Sequence, residues 1–377
     1  MDLNNELKGI VVLSIEQAVS APYCGMLLAE AGARVIKVER PEGDFARGYD
    51  SGANGKSAIF AWLNRGKESI CLDLNKIDDI SLIRRILKRT DIFLNNLTSG
   101  TLQKKGLSFD QIKELNPQII NCSISGYGST NKMSTRKAYD FLIQGEVGLC
   151  SVTGTTRDPC RVGISIADLS TGSAAFSAIL RGIIQRDRTG CGVNIELSMF
   201  GVLSEWMNMP LISYRYSGRV PQRRALGHSF VAPYGAFETK DKKNILLSIQ
   251  NDREWRVFCV KILENSRLVN DPKFKSNVAR FKNKKQLNKI IERRFKEKTK
   301  RLLARKLTDA KIAFSNLNSI EELANHELLK NKEIHFADTK VSVADVPLSN
   351  KQSGIPSAPS LNQHDLVIRS EFKECKI

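Results

Sequence analysis

The stretch that decides the fold is KGIVVLSIEQAVSAPYCGMLLAEAGARVIKVE, residues 8–39. An apolar, β-branched run over 8–15 predicts a strand, and residues 22–31 predict a helix that Gly32 ends. A second β-branched run over 34–39 predicts the next strand. One strand, one helix and one strand of these lengths are typical of a parallel βαβ unit.

The same alternation continues for about a hundred residues beyond this unit. It predicts strands over 69–74, 91–96 and 118–124, and helices over 81–88 and 108–115. The fold class is therefore α/β, with a parallel, doubly wound sheet. Ligands of such sheets bind at the carboxyl ends of the strands. That rule directs attention to the segments near Val19, Arg40, Asn96 and Gly126.

Length and composition are those of a globular protein with two domains. The chain has 377 residues, of which 41% are hydrophobic and 26% charged. No run of 18 apolar residues occurs, and the N-terminus does not resemble a signal peptide, so no membrane partner is expected. The eight cysteines are scattered and predict buried thiols in a reducing cytoplasm, with no metal site.

The formal net charge of +18 raises the question of nucleic acid. Much of the excess lies between residues 240 and 306, where basic residues alternate with apolar ones at helical spacing. This pattern is typical of solvated helix faces, and no aromatic–basic motif accompanies it. No nucleic-acid partner is expected, although the charge would attract polyanionic small ligands.

Motifs for the common nucleotide cofactors are missing from the first strand–turn–helix. Its turn, EQAVSAP over 16–22, is neither a dinucleotide-binding nor a P-loop sequence, so no nicotinamide or flavin is expected. No histidine precedes His228, which excludes a Ser-His-Asp triad built wholly inside the α/β region. His228 is the histidine most suited to a cleft, because it lies beside a polar, arginine-rich segment.

Asp168 is the carboxylate with the most suggestive surroundings. An apolar strand is predicted over 161–167, and Asp168 follows it directly, before a helix rich in glycine, alanine and serine. Two interpretations are open. The first is that Asp168 caps the helix, which spacing alone favours. The second is that it is a nucleophile at a strand-to-helix junction, where small residues leave room for a ligand.

A set of segments resembles the class III coenzyme A transferase family, which includes formyl-CoA transferase and, as a divergent branch, α-methylacyl-CoA racemase. These segments, in the family's order, are residues 8–44, 63–74 (LNRGKESICLDL), 91–107, 114–128, 138–155, 161–175 (RVGISIADLSTGSAA) and 228–255 (HSFVAPYGAFETKDKKNILLSIQNDREW). The resemblance implies a Rossmann-like large domain and a smaller α+β domain, in an interlocked-ring homodimer. It also implies an acyl-CoA and a free carboxylic acid as substrates.

Site residues follow from the matching positions. Asp168 falls at the catalytic aspartate of the family. Contacts with CoA are implied at Val19, Ser20, Arg40, Leu72, Asn96, Leu97, Lys104, Lys137, Tyr139 and Asp140. The chemistry would be an attack of Asp168 on the acyl-CoA thioester, which leads through mixed anhydrides and an aspartyl-CoA thioester.

The substrates and the type of transfer remain open at this stage. The segments 232–237 and 249–259 look most like those of transferases for C4–C5 dicarboxylates, such as itaconate, mesaconate or malate, with succinyl-CoA as donor. Arg223, Arg224 and His228 could bind the remote carboxylate, although the two arginines could equally be a solvated linker. An intramolecular CoA transfer is equally compatible. A racemase would need a histidine where this chain has Tyr139.

Domain bounds follow from composition and the resemblance. We expect a CoA-binding large domain over 1–215, a linker over 216–230, a small domain over 231–325, and a linker with a C-terminal return to the large domain over 326–377.

Overall fold

The structure is a computed structural model that describes residues 5–347 and 356–373. Its first elements, in chain order, are β1 (Val11–Ile15), α1 (Ser20–Glu30), β2 (Arg34–Glu39), α2 (Ala58–Asn64), β3 (Lys67–Cys71), α3 (Ile77–Leu87), β4 (Ile92–Asn95), α4 (Phe109–Leu115), β5 (Ile120–Ser125), α5 (Asp140–Glu146), α6 (Leu149–Val152), α7 (Ile166–Thr189), β6 (Asn194–Ser198), α8 (Met199–Trp206) and α9 (Asn208–Ser217). The strands and helices predicted up to residue 124 are confirmed, with small shifts at their ends.

The remaining elements follow from residue 234 onward. They are β7 (Tyr234–Glu238), β8 (Asn244–Ser248), α10 (Asp252–Val257), α11 (Asn277–Lys282), α12 (Lys284–Phe295), α13 (Lys300–Asp309), β9 (Phe314–Asn316), α14 (Ile320–Ala324), β10 (Asn331–Phe336), β11 (Thr339–Ala344), β12 (Ser357–Ala358) and α15 (Asp365–Glu371). One turn of π-helix, Phe258–Ile262, follows α10.

Contacts divide the chain into two compact units. The first unit contains the residues up to Leu149, Arg161–Leu211 and the residues from Lys330 onward. The second contains Cys150–Cys160 and Ile212–Leu329. The domain bounds given above remain a prediction.

The first unit is built on a six-stranded parallel sheet, as the alternation predicts. Its strand order is β3-β2-β1-β4-β5-β6, which is the doubly wound order with its switch point between β1 and β4. Alternate strand residues enter two cores. Val12 packs in the cluster with α1 and α7, whereas Leu13 packs in the cluster with α3, Ile368 and Phe372.

The second unit has its own core around the antiparallel sheet β7-β8-β9. Trp255, Phe258 and Phe295 are fully buried there and pack edge to face or tilted against one another. Residues 234–239 and 244–250, whose pattern in the sequence predicts a hairpin, form the antiparallel pair β7 and β8, and the helices predicted from the basic pattern are confirmed. The helices α12 and α13 bury one apolar stripe, which consists of Leu287, Ile291, Phe295, Leu303 and Leu307, and none of their lysines is fully buried.

Three local predictions are wrong. Residues 161–165 form no strand, and α7 begins at Ile166. Residues 199–214, whose pattern in the sequence predicts one long helix, form the two helices α8 and α9, because Pro210 has no N–H to continue the hydrogen-bond ladder across Met207. Two cysteines expected to be buried, Cys160 and Cys191, are exposed; Cys375 lies outside the described residues.

No helix in the described ranges is long and apolar enough to cross a membrane.

Candidate functional site

A cleft of about 650 Å³ lies in the first unit, on the segments that follow β1, β2, β4 and β5. This is the edge of the sheet that the strand-end rule indicates. Nine of the predicted site residues line it: Val19, Ser20, Arg40, Asn96, Leu97, Lys137, Tyr139, Asp140 and Asp168.

The turn between β1 and α1 forms one wall of the cleft and is held by two side chains. Asn96 binds the backbone of Gln17 twice: its Oδ1 accepts from the Gln17 N–H at 3.0 Å, and its amide donates to the Gln17 carbonyl at 2.8 Å. Asp44 Oδ1 accepts from the N–H of Ala18 at 3.1 Å, where the backbone is left-handed at φ 65°. The turn is thus fixed before any ligand arrives.

A buried network of charges lies beneath this turn. Lys37 donates to the other oxygen of Asp44 at 2.8 Å, and Lys67 donates to Glu16 at 2.5 Å. All four side chains are inaccessible to solvent. Removing one partner would leave a buried charge unpaired, which typically costs about 3–5 kcal/mol. The network therefore stabilises a single conformation of the turn.

The first turn of α1 lies unusually close to α7. A Cβ atom built on Gly172 of α7 would stand 2.5 Å from the carbonyl oxygen of Ser20 and 3.0 Å from the ring of Tyr23. Only glycine permits this approach. It brings the hydroxyl of Ser20 within hydrogen-bonding reach of the Asp168 carboxylate, one helical turn before Gly172.

Asp168 is the third residue of α7, and Ser165 occupies the capping position. The expectation that Asp168 directly follows a strand, and its interpretation as the helix cap, are therefore both wrong. Burial, followed by the nearby charge of Asp140, raises the pKa of Asp168 to about 7, against a smaller lowering by the Ser20 hydroxyl. Near neutral pH the carboxyl can both lose and regain a proton.

Asp140 explains why residues 161–165 do not pair as a strand. Its Oδ1 accepts from the N–H of Ala167 at 2.8 Å, and its Oδ2 accepts from the Gln144 amide at 2.7 Å. Gln144 in turn accepts from the N–H of Val162 at 2.8 Å. The two side chains satisfy backbone donors that a sheet would otherwise pair. They also fix the start of α7, and with it the position of Asp168.

Two predicted CoA-contacting residues of the first unit lie elsewhere. Leu72 is buried in the core beside the sheet, and Lys104 is exposed on a short helical turn, residues 103–105. Their role in ligand binding remains a prediction.

The three predicted substrate residues belong to the second unit and have different surroundings. The Arg223 guanidinium donates to the backbone carbonyls of Thr155 and Thr156, at 2.9 and 3.3 Å. Nδ1 of His228 accepts from two backbone N–H groups, those of Phe230 and Val231. Arg224 and His228 line a separate cavity of the second unit.

Several residues of the cleft are absent from the sequence-based prediction. They are Gln17, Tyr49, Ser134, Arg136 and Arg161, among others. Burial, followed by the charges of Asp44 and Asp168, raises the pKa of Tyr49 to about 12, so its hydroxyl keeps its proton. The strand-end rule could have found Gln17. The others lie in loops and carry no such signal.

The charge of the cleft suits an anionic ligand. Arg40, Arg136, Lys137 and Arg161 are exposed around it. Clefts lined by one sign of charge concentrate ligands of the opposite sign. Within the described residues, no group of three or more His, Cys, Asp or Glu side chains could hold a metal ion.

Comparison with known proteins identifies the family. The model of CoA-transferase family III matches residues 7–365. A succinyl-CoA:glutarate CoA-transferase from Mus musculus is 31% identical, over 98% of this chain and 87% of its own length. A succinyl-CoA:mesaconate CoA-transferase from Haloarcula hispanica is 27% identical, over 97% of this chain and 96% of its own.

A solved structure agrees with these matches. The crystal structure of a CAIB/BAIF family protein from Brucella suis superposes with a TM-score of 0.82 at 30% identity, covering 98% of this chain and all of the other. The resemblance read from the sequence is thus confirmed: the chain belongs to CoA-transferase family III.

Proposed function

We propose that this enzyme moves CoA from succinyl-CoA to a free C4–C5 dicarboxylate by way of an aspartyl-CoA thioester on Asp168. The observation that carries the proposal is a partly buried carboxyl with a pKa raised to about 7, in a cleft rimmed by exposed cations. The names of the mouse and Haloarcula relatives, which pair succinyl-CoA with glutarate and mesaconate, support the choice of acids.

The reaction starts with ionised Asp168. Its carboxylate attacks the thioester carbonyl, forms a mixed anhydride and expels CoA as the thiolate. The thiolate attacks the aspartyl carbonyl, which gives the aspartyl-CoA thioester and frees the donor acid. The acceptor carboxylate attacks this thioester, forms a second anhydride and expels CoA as the thiolate again. CoA thiolate then attacks the acceptor carbonyl of that anhydride, which yields the new acyl-CoA and restores Asp168.

The surroundings of Asp168 support each role. A carboxylate whose pKa is high is a better nucleophile than a fully solvated one, since burial destabilises its charge. The hydroxyl of Ser20 can hydrogen-bond the oxygen that does not attack. The N–H groups of Gln17 and Ala18 are bound by Asn96 and Asp44, so those of Val19 and Ser20 are the turn donors suited to stabilise the oxyanions. Partial burial limits the access of water to the anhydrides.

Arg40 is proposed to hold the phosphate end of CoA. Its Nε donates to the carbonyl of Gly43 at 2.9 Å, which leaves the terminal nitrogens for a ligand. We expect Arg40→Met to raise the KM for acyl-CoA about tenfold or more, with kcat changed much less. Initial rates at varied acyl-CoA concentration test this. An unchanged KM would remove Arg40 from the site.

The pH dependence of the reaction follows from the raised pKa of Asp168. The nucleophile must be ionised, so kcat/KM should fall about tenfold per pH unit below pH 7 and level off above it. Asp140→Asn removes the neighbouring negative charge, which should move the midpoint to lower pH. Rates between pH 5 and 9 measure both midpoints. The same midpoint in both proteins would contradict the coupling of the two carboxylates.

The central test mixes the purified protein with succinyl-CoA and one free acid at a time: glutarate, mesaconate, itaconate, malate, oxalate or formate. Mass spectrometry reads the new acyl-CoA. We expect a new thioester with at least one dicarboxylate. A sample of protein and succinyl-CoA without acceptor acid provides the control. Failure with every acid, in a protein that binds CoA, would overturn the proposed acceptor class.

We also propose that the enzyme is a homodimer. Large apolar side chains on α5, α8 and α9 support this, since Phe141, Trp206 and Met209 are each more than half exposed. Light scattering coupled to gel filtration measures the mass directly, and a monomer would contradict the proposal.

A further inference from the structure

The second unit contains a cavity of about 330 Å³ whose chemistry the preceding argument does not use. It lies between the segment that contains Arg224 and His228 and the N-terminal part of α12, which contains Lys284 and Asn288. Thr155 and Thr156 complete one side. No carboxylate is among its lining residues in the part of the chain that the structure describes. The cavity is therefore lined by two cations without a counter-charge.

Each of the two cations has a buried nitrogen without a hydrogen-bond partner among the described residues. Nε of Arg224 and Nζ of Lys284 are shielded from solvent, and neither has a partner within residues 5–347 and 356–373. Buried polar groups are nearly always paired, and buried charges almost without exception. The neighbouring Arg223 differs from these two residues, because its guanidinium donates hydrogen bonds to backbone carbonyls.

The ring of Phe281 holds the two cations in place. The guanidinium carbon of Arg224 lies 5.3 Å from the ring centroid, and Nζ of Lys284 lies 4.3 Å from it. Cation–π contacts fix their positions but leave the like charges facing each other. Desolvation, followed by the charge of Arg224, lowers the pKa of Lys284 to about 8, which agrees with this mutual repulsion.

We propose that Arg224 and Lys284 form the binding site for one oxyanion group, a carboxylate or a phosphate, of the substrates. The anion would relieve the repulsion and supply the missing acceptor to both side chains. His228 can add a third donor, because its Nδ1 accepts backbone N–H bonds and its Nε2 therefore carries the hydrogen when the ring is neutral. The choice of ligand rests on the proposed function, whereas the existence of an anion site does not.

The test is calorimetric binding with the full-length chain, which needs no turnover. The probes are succinate, glutarate, CoA and inorganic phosphate. The variants are Arg224→Met and Lys284→Met, and Lys282→Met is the matched control, since Lys282 is exposed on the preceding helix. We expect each cavity variant to weaken the binding of one class of probe about 10- to 100-fold, and the control to bind as the wild type does.

The outcomes separate the ligands and the hypotheses. Loss of dicarboxylate binding alone assigns the site to the acid, and loss of CoA or phosphate binding alone assigns it to the acyl-CoA. Unchanged binding of every probe in both cavity variants, or no binding by the wild type, overturns the proposal. If Arg224→Met does not fold, Lys284→Met decides, because it replaces a half-buried residue in the first turn of a helix. The variant Asp168→Asn is expected to lose only the transfer reaction, so it should still bind the probes as the wild type does.

Discussion

Asp168→Asn should lower the rate of CoA transfer at least about 1000-fold while the protein remains folded. Asparagine keeps the size and shape of the side chain but cannot attack a thioester, so the covalent route is closed. The rate is read as new acyl-CoA formed from succinyl-CoA and the acceptor acid. Intact-protein mass spectrometry of the wild type, quenched during turnover, should reveal a CoA adduct that the variant lacks.

The same substitution should make the protein more stable. This gain would distinguish a carboxylate whose charge is destabilised by burial from an ordinary surface carboxylate. The pKa of Asp168 is higher in the folded protein than in the unfolded chain, which ionises at about pH 4. The free energy of unfolding therefore falls as the pH rises from about 4 to about 7, and it changes little above that. A permanently neutral side chain avoids this loss. The rise of this pKa from about 4 to about 7 corresponds to a gain of up to about 4 kcal/mol above pH 7, shrinking towards zero near pH 4.

Asp187→Asn is the matched control for both measurements. Asp187 lies on the same helix, but its side chain is largely exposed. The free energy of unfolding should change by no more than about half a kcal/mol, and the transfer rate should stay close to that of the wild type. Substantial transfer by Asp168→Asn would overturn the mechanism. An unchanged stability would contradict the raised pKa and leave the covalent chemistry standing.

Gly172→Ala should have the second large effect, through packing rather than chemistry. The new Cβ would lie 2.5 Å from the Ser20 carbonyl oxygen, a backbone atom that cannot rotate away. The helices α1 and α7 must separate, which should cost about 1–3 kcal/mol of unfolding free energy. Because Ser20 moves away from Asp168, we also expect kcat to fall about 100-fold.

Gly145→Ala provides the comparison for Gly172→Ala. Gly145 is also helical, in α5, and a Cβ there would meet no atom within 4 Å. Alanine is the better helix former, so this variant should be slightly more stable than the wild type. Denaturant unfolding and initial rates on both variants decide the matter. Equal behaviour of the two alanines would refute the close approach of α1 and α7.

The sequence predicts the sheet well because the relevant signals are local. Apolar runs bounded by turns indicate β1 to β6, and the rule that ligands bind at strand ends indicates the segments near Val19, Arg40 and Asn96. The structure places all three beside one cleft. The match to family segments singles out Asp168, which spacing alone would have read as a helix cap.

The errors arise where distant side chains decide local structure. Residues 161–167 have the apolar pattern of a strand, but Asp140 and Gln144 take up the N–H groups of Val162 and Ala167. Neighbouring arginines are another case. Arg223 and Arg224 are indistinguishable by composition, yet one binds loop carbonyls and the other lines a cavity. Contacts of long sequence separation are not readable from one chain.

The C-terminal helix α15 has a consequence for how the protein is made. Ile368 and Phe372 complete the core beside β1, β2 and β4, whose residues lie more than 250 positions earlier in the chain. Asn362 Oδ1 and His364 Nδ1 also accept from the N–H groups of Cys71 and Ser69, on the outer edge of β3. Because α15 is synthesised long after these strands, the nascent sheet keeps an open edge and an unfinished core until α15 has left the ribosome. Chaperone dependence during translation should therefore be high, and deletion of residues 360–377 should yield aggregated rather than merely less active protein.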